Sequence, residues 1–135
     1  MKEAETLLKY ASEKGIEIFL TPDLRLEITA PKGVMSPEAL DYIRGSRPIL
    51  LEQLCSYEFQ DLVFRLIYSD DISWLVKQLK DICSLERVKI IRRYLEEFDA
   101  AYKAEENPVK KRNAGRFRAN TWLREELEEE KGYGQ

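Results

Sequence analysis

The sequence has 135 residues, with 22 basic and 25 acidic side chains, no His, and 44% apolar residues, a composition that describes a soluble globular chain of one ordinary domain or two very small ones. Without His, the commonest general base and the commonest neutral metal ligand are missing, which excludes hydrolytic triads and His-ligated metal centres. The net charge of −3 conceals a segregated tail: residues 107–124 hold six basic and no acidic side chains, and residues 125–135 hold one basic and five acidic.

The amino terminus, Met1-Lys2-Glu3-Ala4-Glu5, carries charge where a signal peptide would carry its apolar stretch. No apolar run reaches the ~20 residues of a membrane span, so a cytoplasmic protein with no membrane partner is expected. Ala4, Leu7, Leu8 and Ala11 recur at helical spacing and predict a first helix that ends at Gly15. The period then changes to two. Ile16, Ile18 and Leu20 share one face, Thr21-Pro22-Asp23 forms a turn, and Leu24, Leu26 and Ile28 supply the matching face of a hairpin with one apolar side. Pro31-Lys32-Gly33 breaks the second strand. Ser36-Pro37 starts a short helix whose Leu40 and Ile43 face inward before Gly45, and Ser46 opens a third helix with Ile49, Leu50, Leu51 and Leu54 as its stripe.

From Tyr57 onward the pattern is helical throughout. Phe59, Leu62, Val63, Leu66 and Ile67 keep the spacing until Ser69-Asp70-Asp71, and Ile72, Leu75, Leu79 and Ile82 form the next stripe. Adjacent residues of a helix do not share a face, so Asp70 and Asp71 read as helix-capping groups rather than as a catalytic carboxylate pair. Ser84 caps a long helix in which Val88, Ile91, Leu95, Phe98 and Tyr102 form a seam, to be covered by another helix of the same chain or by a homodimer partner. Asn107-Pro108 ends it, and a last helix runs through Phe117, Leu123 and Leu127. Cys55 and Cys83 lack CxxC spacing, so no zinc is expected; both read as small buried hydrophobes of a reducing compartment, with a disulfide as the alternative. No phosphate loop, nucleophile elbow or metal-ligand cluster occurs, so neither enzyme activity nor a cofactor is expected.

The order helix, hairpin, two short helices, with Leu26-Glu27-Ile28-Thr29-Ala30-Pro31-Lys32-Gly33, Ser36-Pro37-Glu38 and Arg47-Pro48-Ile49-Leu50-Leu51 before Leu54, resembles the TubC N-terminal docking domain family over residues 3–55. The resemblance implies an αββαα fold over residues 1–55; with the helical unit that periodicity predicts over 56–135, packed on or tethered to it and sharing contacts with it, a mostly helical α+β protein is expected. The resemblance also implies a docking or adaptor module that captures a peptide or helix of a bacterial protein partner against its hairpin, and related domains begin proteins carried on mobile elements. An exposed strand offers unpaired backbone groups to an added strand, while its outward side chains select the partner. Here those positions are Arg25, Glu27 and Thr29, with Lys32 beyond; Glu27 and Thr29 stand where family members often carry basic residues. Proline at Thr29 is expected to delete a donor of that edge.

The tail gives a second functional reading. Lys110, Lys111, Arg112, Arg116 and Arg118, interleaved with Phe117 and Trp122, combine positive charge with stacking surfaces and suit a nucleic-acid-binding accessory protein of a phage, plasmid or integrated element. As one helix the segment would put cations at its N-terminal end and anions at its C-terminal end, the reverse of what the macrodipole favours. Helix stability alone does not explain that order.

Overall fold

The computed structural model describes residues 2–133. It shows a mostly helical α+β chain in the order α1 (Lys2–Glu13), β1 (Glu17–Leu20), β2 (Leu26–Thr29), α2 (Pro37–Gly45), α3 (Arg47–Leu66), α4 (Ser69–Gln78), α5 (Ser84–Ala104) and α6 (Lys111–Tyr133). The chain divides into two compact units, Met1–Val88 and Lys89–Gln135. The division expected between residues 55 and 56 falls inside α3 instead. The reason lies in that helix: Leu50, Gln53, Cys55, Phe59, Leu62 and Val63 are all buried, so its inward face passes Ser56 without a break.

In the first unit, the turn after α1 contains Gly15, whose φ of 73° is the left-handed conformation that a residue without Cβ adopts at little cost. The chain then enters a two-stranded antiparallel sheet with the register Glu17↔Thr29, Ile18↔Ile28, Phe19↔Glu27 and Leu20↔Leu26. Ile18, Leu26 and Ile28 turn toward the helices and pack, with Leu8 and Met35, on a core of Leu7, Ile43 and Leu50. A two-stranded sheet is marginal by itself, so this packing is what holds it. Ser36 caps α2 as its sequence predicts: the hydroxyl accepts the Ala39 N–H at 3.1 Å, with Pro37 in the first turn.

The turn differs from the expectation. Leu24 is not a strand residue: it is the last residue of a three-residue loop, at φ 64°. Its N–H donates to the Thr21 carbonyl at 2.9 Å, and the Arg25 N–H donates to Thr21 Oγ1 at 2.9 Å. A left-handed leucine costs roughly 1–2 kcal/mol. Burial of its side chain, which is only 8% exposed, offsets that cost.

A long-range polar clasp starts α5. The Glu52 carboxylate of α3 accepts the Ser84 hydroxyl at 2.6 Å and the Ser84 N–H at 3.2 Å, which satisfies an orphan donor of the first turn from outside the helix. Ser84 is therefore itself held, and its hydroxyl donates to a carboxylate instead of accepting from the backbone. We expect Glu52→Ala to cost about 1–2 kcal/mol, the value of a lost helix cap with a buried hydroxyl left unpaired. Urea unfolding checks this, and an unchanged midpoint would show that the clasp contributes nothing. Asp70 and Asp71 lie in the first turn of α4 behind the cap residue Tyr68, where negative charge suits the helix dipole. Cys55 is buried as expected, whereas Cys83 is exposed in the loop before α5, and both are free thiols.

In the second unit α5 and α6 pair. Tyr94 Oη bonds Asn120 Oδ1 at 2.5 Å, and Glu97 accepts from Arg118 Nε at 3.0 Å while also pairing with Arg93. Ile91, Tyr94, Ala119 and Leu123 are buried. The expected seam shifts accordingly: Tyr94 joins it and Tyr102 leaves it at 38% exposure. Phe117 is 75% exposed, because the inward line of α6 is Gly115, Ala119 and Leu123 at i, i+4 and i+8.

Candidate functional site

The hairpin edge follows from its closing bond. The Thr21 N–H donates to the Arg25 carbonyl at 2.8 Å, which makes Thr21 and Arg25 a hydrogen-bonded pair. Such pairs alternate with non-hydrogen-bonded ones along an antiparallel ladder. Phe19/Glu27 and Glu17/Thr29 therefore bond across the two strands, while Leu20/Leu26 and Ile18/Ile28 turn their N–H and C=O groups away from each other. With only two strands in the sheet, the outer edge of β2 consists of the backbone groups of Leu26 and Ile28. The Thr29 N–H belongs to the inner ladder. Proline there would break the hairpin, which corrects the expectation that it would remove an edge donor.

Arg25, Glu27 and Thr29 are exposed, on the face that also carries Glu17 and Phe19. Arg25 Nε lies 3.3 Å from Asp23 Oδ2, an ion pair at the surface and so of small energetic weight. The Thr21 hydroxyl, donating to Asp23 Oδ1 at 2.6 Å, is the main reason the Asp23 carboxyl is held below its ordinary value, with lesser help from a backbone N–H and from Arg25. A cavity of about 370 Å³ opens beside β2, lined by Leu24, Arg25, Leu26, Glu27, Arg47 and Leu51. It brings Arg25 and Glu27 together with Arg47, the first residue of α3, which periodicity does not single out. Thr29 and Lys32 do not line it; Lys32 is exposed in the turn after β2. A larger groove of about 570 Å³ lies between α1 and α2, among Leu7, Tyr10, Ala39, Tyr42 and Ile43.

The basic stretch is dispersed by the pairing of α5 with α6. The ammonium of Lys111 donates to the carbonyls of Tyr102 and Glu105 and stands 5.4 Å from the Tyr102 ring centroid, so it caps the C-terminal end of α5. For Lys111 this accounts for the reversed charge order: a cation poorly placed for its own helix is well placed for the carbonyl end of the preceding one. Arg118 is held by Glu97, and Trp122 is half-buried. Lys110 and Arg112 are exposed and Arg116 is half-buried.

Among the described residues no group of three or more His, Cys, Asp or Glu side chains is placed to hold a metal ion, and no helix is long and apolar enough to cross a membrane. Comparison with known protein families, with curated proteins and with solved structures finds no match.

Proposed function

We propose that the first unit is a non-catalytic docking module that takes an extended segment of a bacterial protein partner as an added strand on β2. The observation that carries this is the outer edge itself: the backbone donors and acceptors of Leu26 and Ile28 point away from β1, beside a cavity lined by three leucines together with Arg25, Glu27 and Arg47. Backbone bonds supply affinity in strand addition, and alternate side chains supply selection. The resemblance of residues 3–55 to TubC docking domains supports the same reading. Arg25, Glu27 and Arg47 are the selecting side chains, and Thr29 and Lys32 lie at the far end of the strand.

The test removes one atom group. Peptides selected from a displayed random library on the intact chain are titrated against a semisynthetic protein in which the Ile28 amide is replaced by an ester. Loss of that single donor should weaken binding by about 0.5–1.5 kcal/mol with an unchanged fold. An ester protein that binds as tightly as the wild type would sink the strand-addition reading.

One observation favours a second reading, a nucleic-acid-binding accessory role: Phe117 is 75% exposed within the stretch that holds six basic and no acidic side chains. Titration of single-stranded and duplex DNA at two salt concentrations separates the two. Phosphate contacts weaken linearly with the logarithm of salt concentration, and tight, salt-steep binding would reverse the ranking.

A further inference from the structure

The groove of about 570 Å³ between α1 and α2 shares no lining residue with the cavity beside β2. Its size lies within the range of small-molecule sites, about 300–1,000 Å³. Leu7 and Ile43 are buried and Ala39 half-buried in its lining, whereas Tyr10, Tyr42 and Glu38 line it with exposed side chains.

An anion is poorly served there. Ser36, at the start of α2, also lines the groove, yet the first-turn donors of that helix are largely occupied. Pro37 has no N–H, the Ala39 N–H donates to Ser36 Oγ at 3.1 Å, and the Leu40 N–H donates to the Ser36 carbonyl at 3.0 Å. Glu38 is the one charged side chain of the lining, and it has no ion-pair or hydrogen-bond partner among the described residues.

A cation is well served. The face of an aromatic ring attracts a cation within about 6 Å of its centroid. Tyr10 and Tyr42 are 45% and 64% exposed, so both rings reach solvent. Tyr10 already holds a cation: the Lys14 ammonium stands 5.8 Å from its ring centroid, and Lys14 itself is outside the lining of the groove. A quaternary ammonium has no N–H to satisfy and presents methyl surface, which suits a carboxylate set among aromatic rings and apolar side chains. A primary ammonium brings three donors, each in need of an acceptor.

We propose that this groove is a binding site for a small organic cation of the quaternary-ammonium class. Glu38 and the rings of Tyr10 and Tyr42 take its charge, and Leu7, Ala39 and Ile43 take its apolar surface. The site goes beyond the docking reading and does not depend on it.

Titration of the full chain with choline tests this, with the ring resonances of Tyr10 and Tyr42 followed by NMR. The control is the uncharged isostere of choline in which a tert-butyl group replaces trimethylammonium. Choline should bind saturably with a Kd of roughly 1–10 mM, and the isostere should bind at least about tenfold more weakly. Glu38→Gln and Tyr42→Leu should each weaken choline binding by about threefold or more, while Tyr42→Phe keeps the ring and the affinity. Lys14→Gln should tighten binding by about twofold, because it removes the chain's own cation from the Tyr10 ring. Tyr57→Leu, on α3 and outside the groove, should change nothing. All these side chains are exposed, so circular dichroism should be the same throughout.

Tyr42 resonances that do not move at about 100 mM choline overturn the proposal. An isostere that binds as well as choline does the same, since the groove is then merely apolar. So does a Glu38→Gln or Tyr42→Leu chain that binds like the wild type. A blocked trimethyl-lysine that binds at least about tenfold more tightly than choline assigns the groove to a partner's side chain and rejects the small ligand. The docking reading is scored separately by the library peptides on the β2 edge: a chain that binds them and not choline keeps docking and rejects the cation site.

Discussion

Leu50→Ala is expected to cost about 2–5 kcal/mol, the range for truncating a fully buried leucine that leaves a cavity behind. Leu50 has no exposed surface and stands with Leu7 and Ile43 at the centre of the core onto which Ile18, Leu26 and Ile28 of the hairpin pack. Domains of this size are stable by only about 5–15 kcal/mol, so the loss is a large part of the whole. Because the hairpin is anchored to these side chains and has no third strand, its amide resonances should broaden while much of the helical circular dichroism remains. Urea unfolding should show a lower midpoint. Leu66→Ala is the internal control: Leu66 is 47% exposed near the end of α3, and its truncation should stay within about 0.5 kcal/mol. Equal effects at the two positions would mean that the core has been misplaced.

Gly115→Val should destabilise the pairing of α5 with α6 by about 1–3 kcal/mol, the usual cost of overpacking. A Cβ at position 115 would lie 2.8 Å from Phe98 Cε2 and 2.9 Å from Cδ2 and Cζ, so the aromatic ring has to move before any side chain fits. Two effects oppose each other here. Removing a mid-helix glycine favours the helix by about 1 kcal/mol, and the clash disfavours the packed pair. At alanine the two nearly offset; at valine the clash wins and a β-branched side chain adds its own restriction. Phe98→Leu in the Gly115→Val background should recover much of the loss, a non-additivity that a general helix defect would not show. If the two substitutions simply add, the close approach is not what position 115 requires.

These two positions also mark what the sequence makes legible. The first core could be read from it, because Leu7, Ile43 and Leu50 sit on stripes with the right period, and Gly15, Ser36 and Pro37 punctuate the elements by local chemistry that needs no tertiary context. The end of the first unit could not: helical spacing runs through Ser56 unchanged, and periodicity carries no information about which helix a stripe will face. The same blindness affects α6. Its spacing does not mark Gly115 and Ala119 as inward, because the inward line depends on how closely two backbones approach, and there a glycine and an alanine do what larger residues cannot. The Glu52–Ser84 clasp joins residues 32 apart, a distance at which no spacing rule operates. At the hairpin, alternation correctly separated Glu27 and Thr29 from Leu26 and Ile28 by side-chain direction. Which backbone groups face outward depends on the loop, and the loop turned on a leucine in a conformation that sequence rules reserve for glycine and asparagine.

That leucine has a kinetic consequence. A turn closed by glycine or by Asn-Gly can form early and template its strands, since its local geometry is already favourable without any distant contact. The loop at Leu24 is locally uphill, and the cost is recovered only once its side chain is covered by residues far along the chain. Hairpin closure is therefore expected to follow the packing of α3, whose Arg47 and Leu51 lie beside Leu24. We expect substitutions in the strands to alter the rate of unfolding and to leave the rate of folding nearly untouched, which stopped-flow kinetics in urea checks.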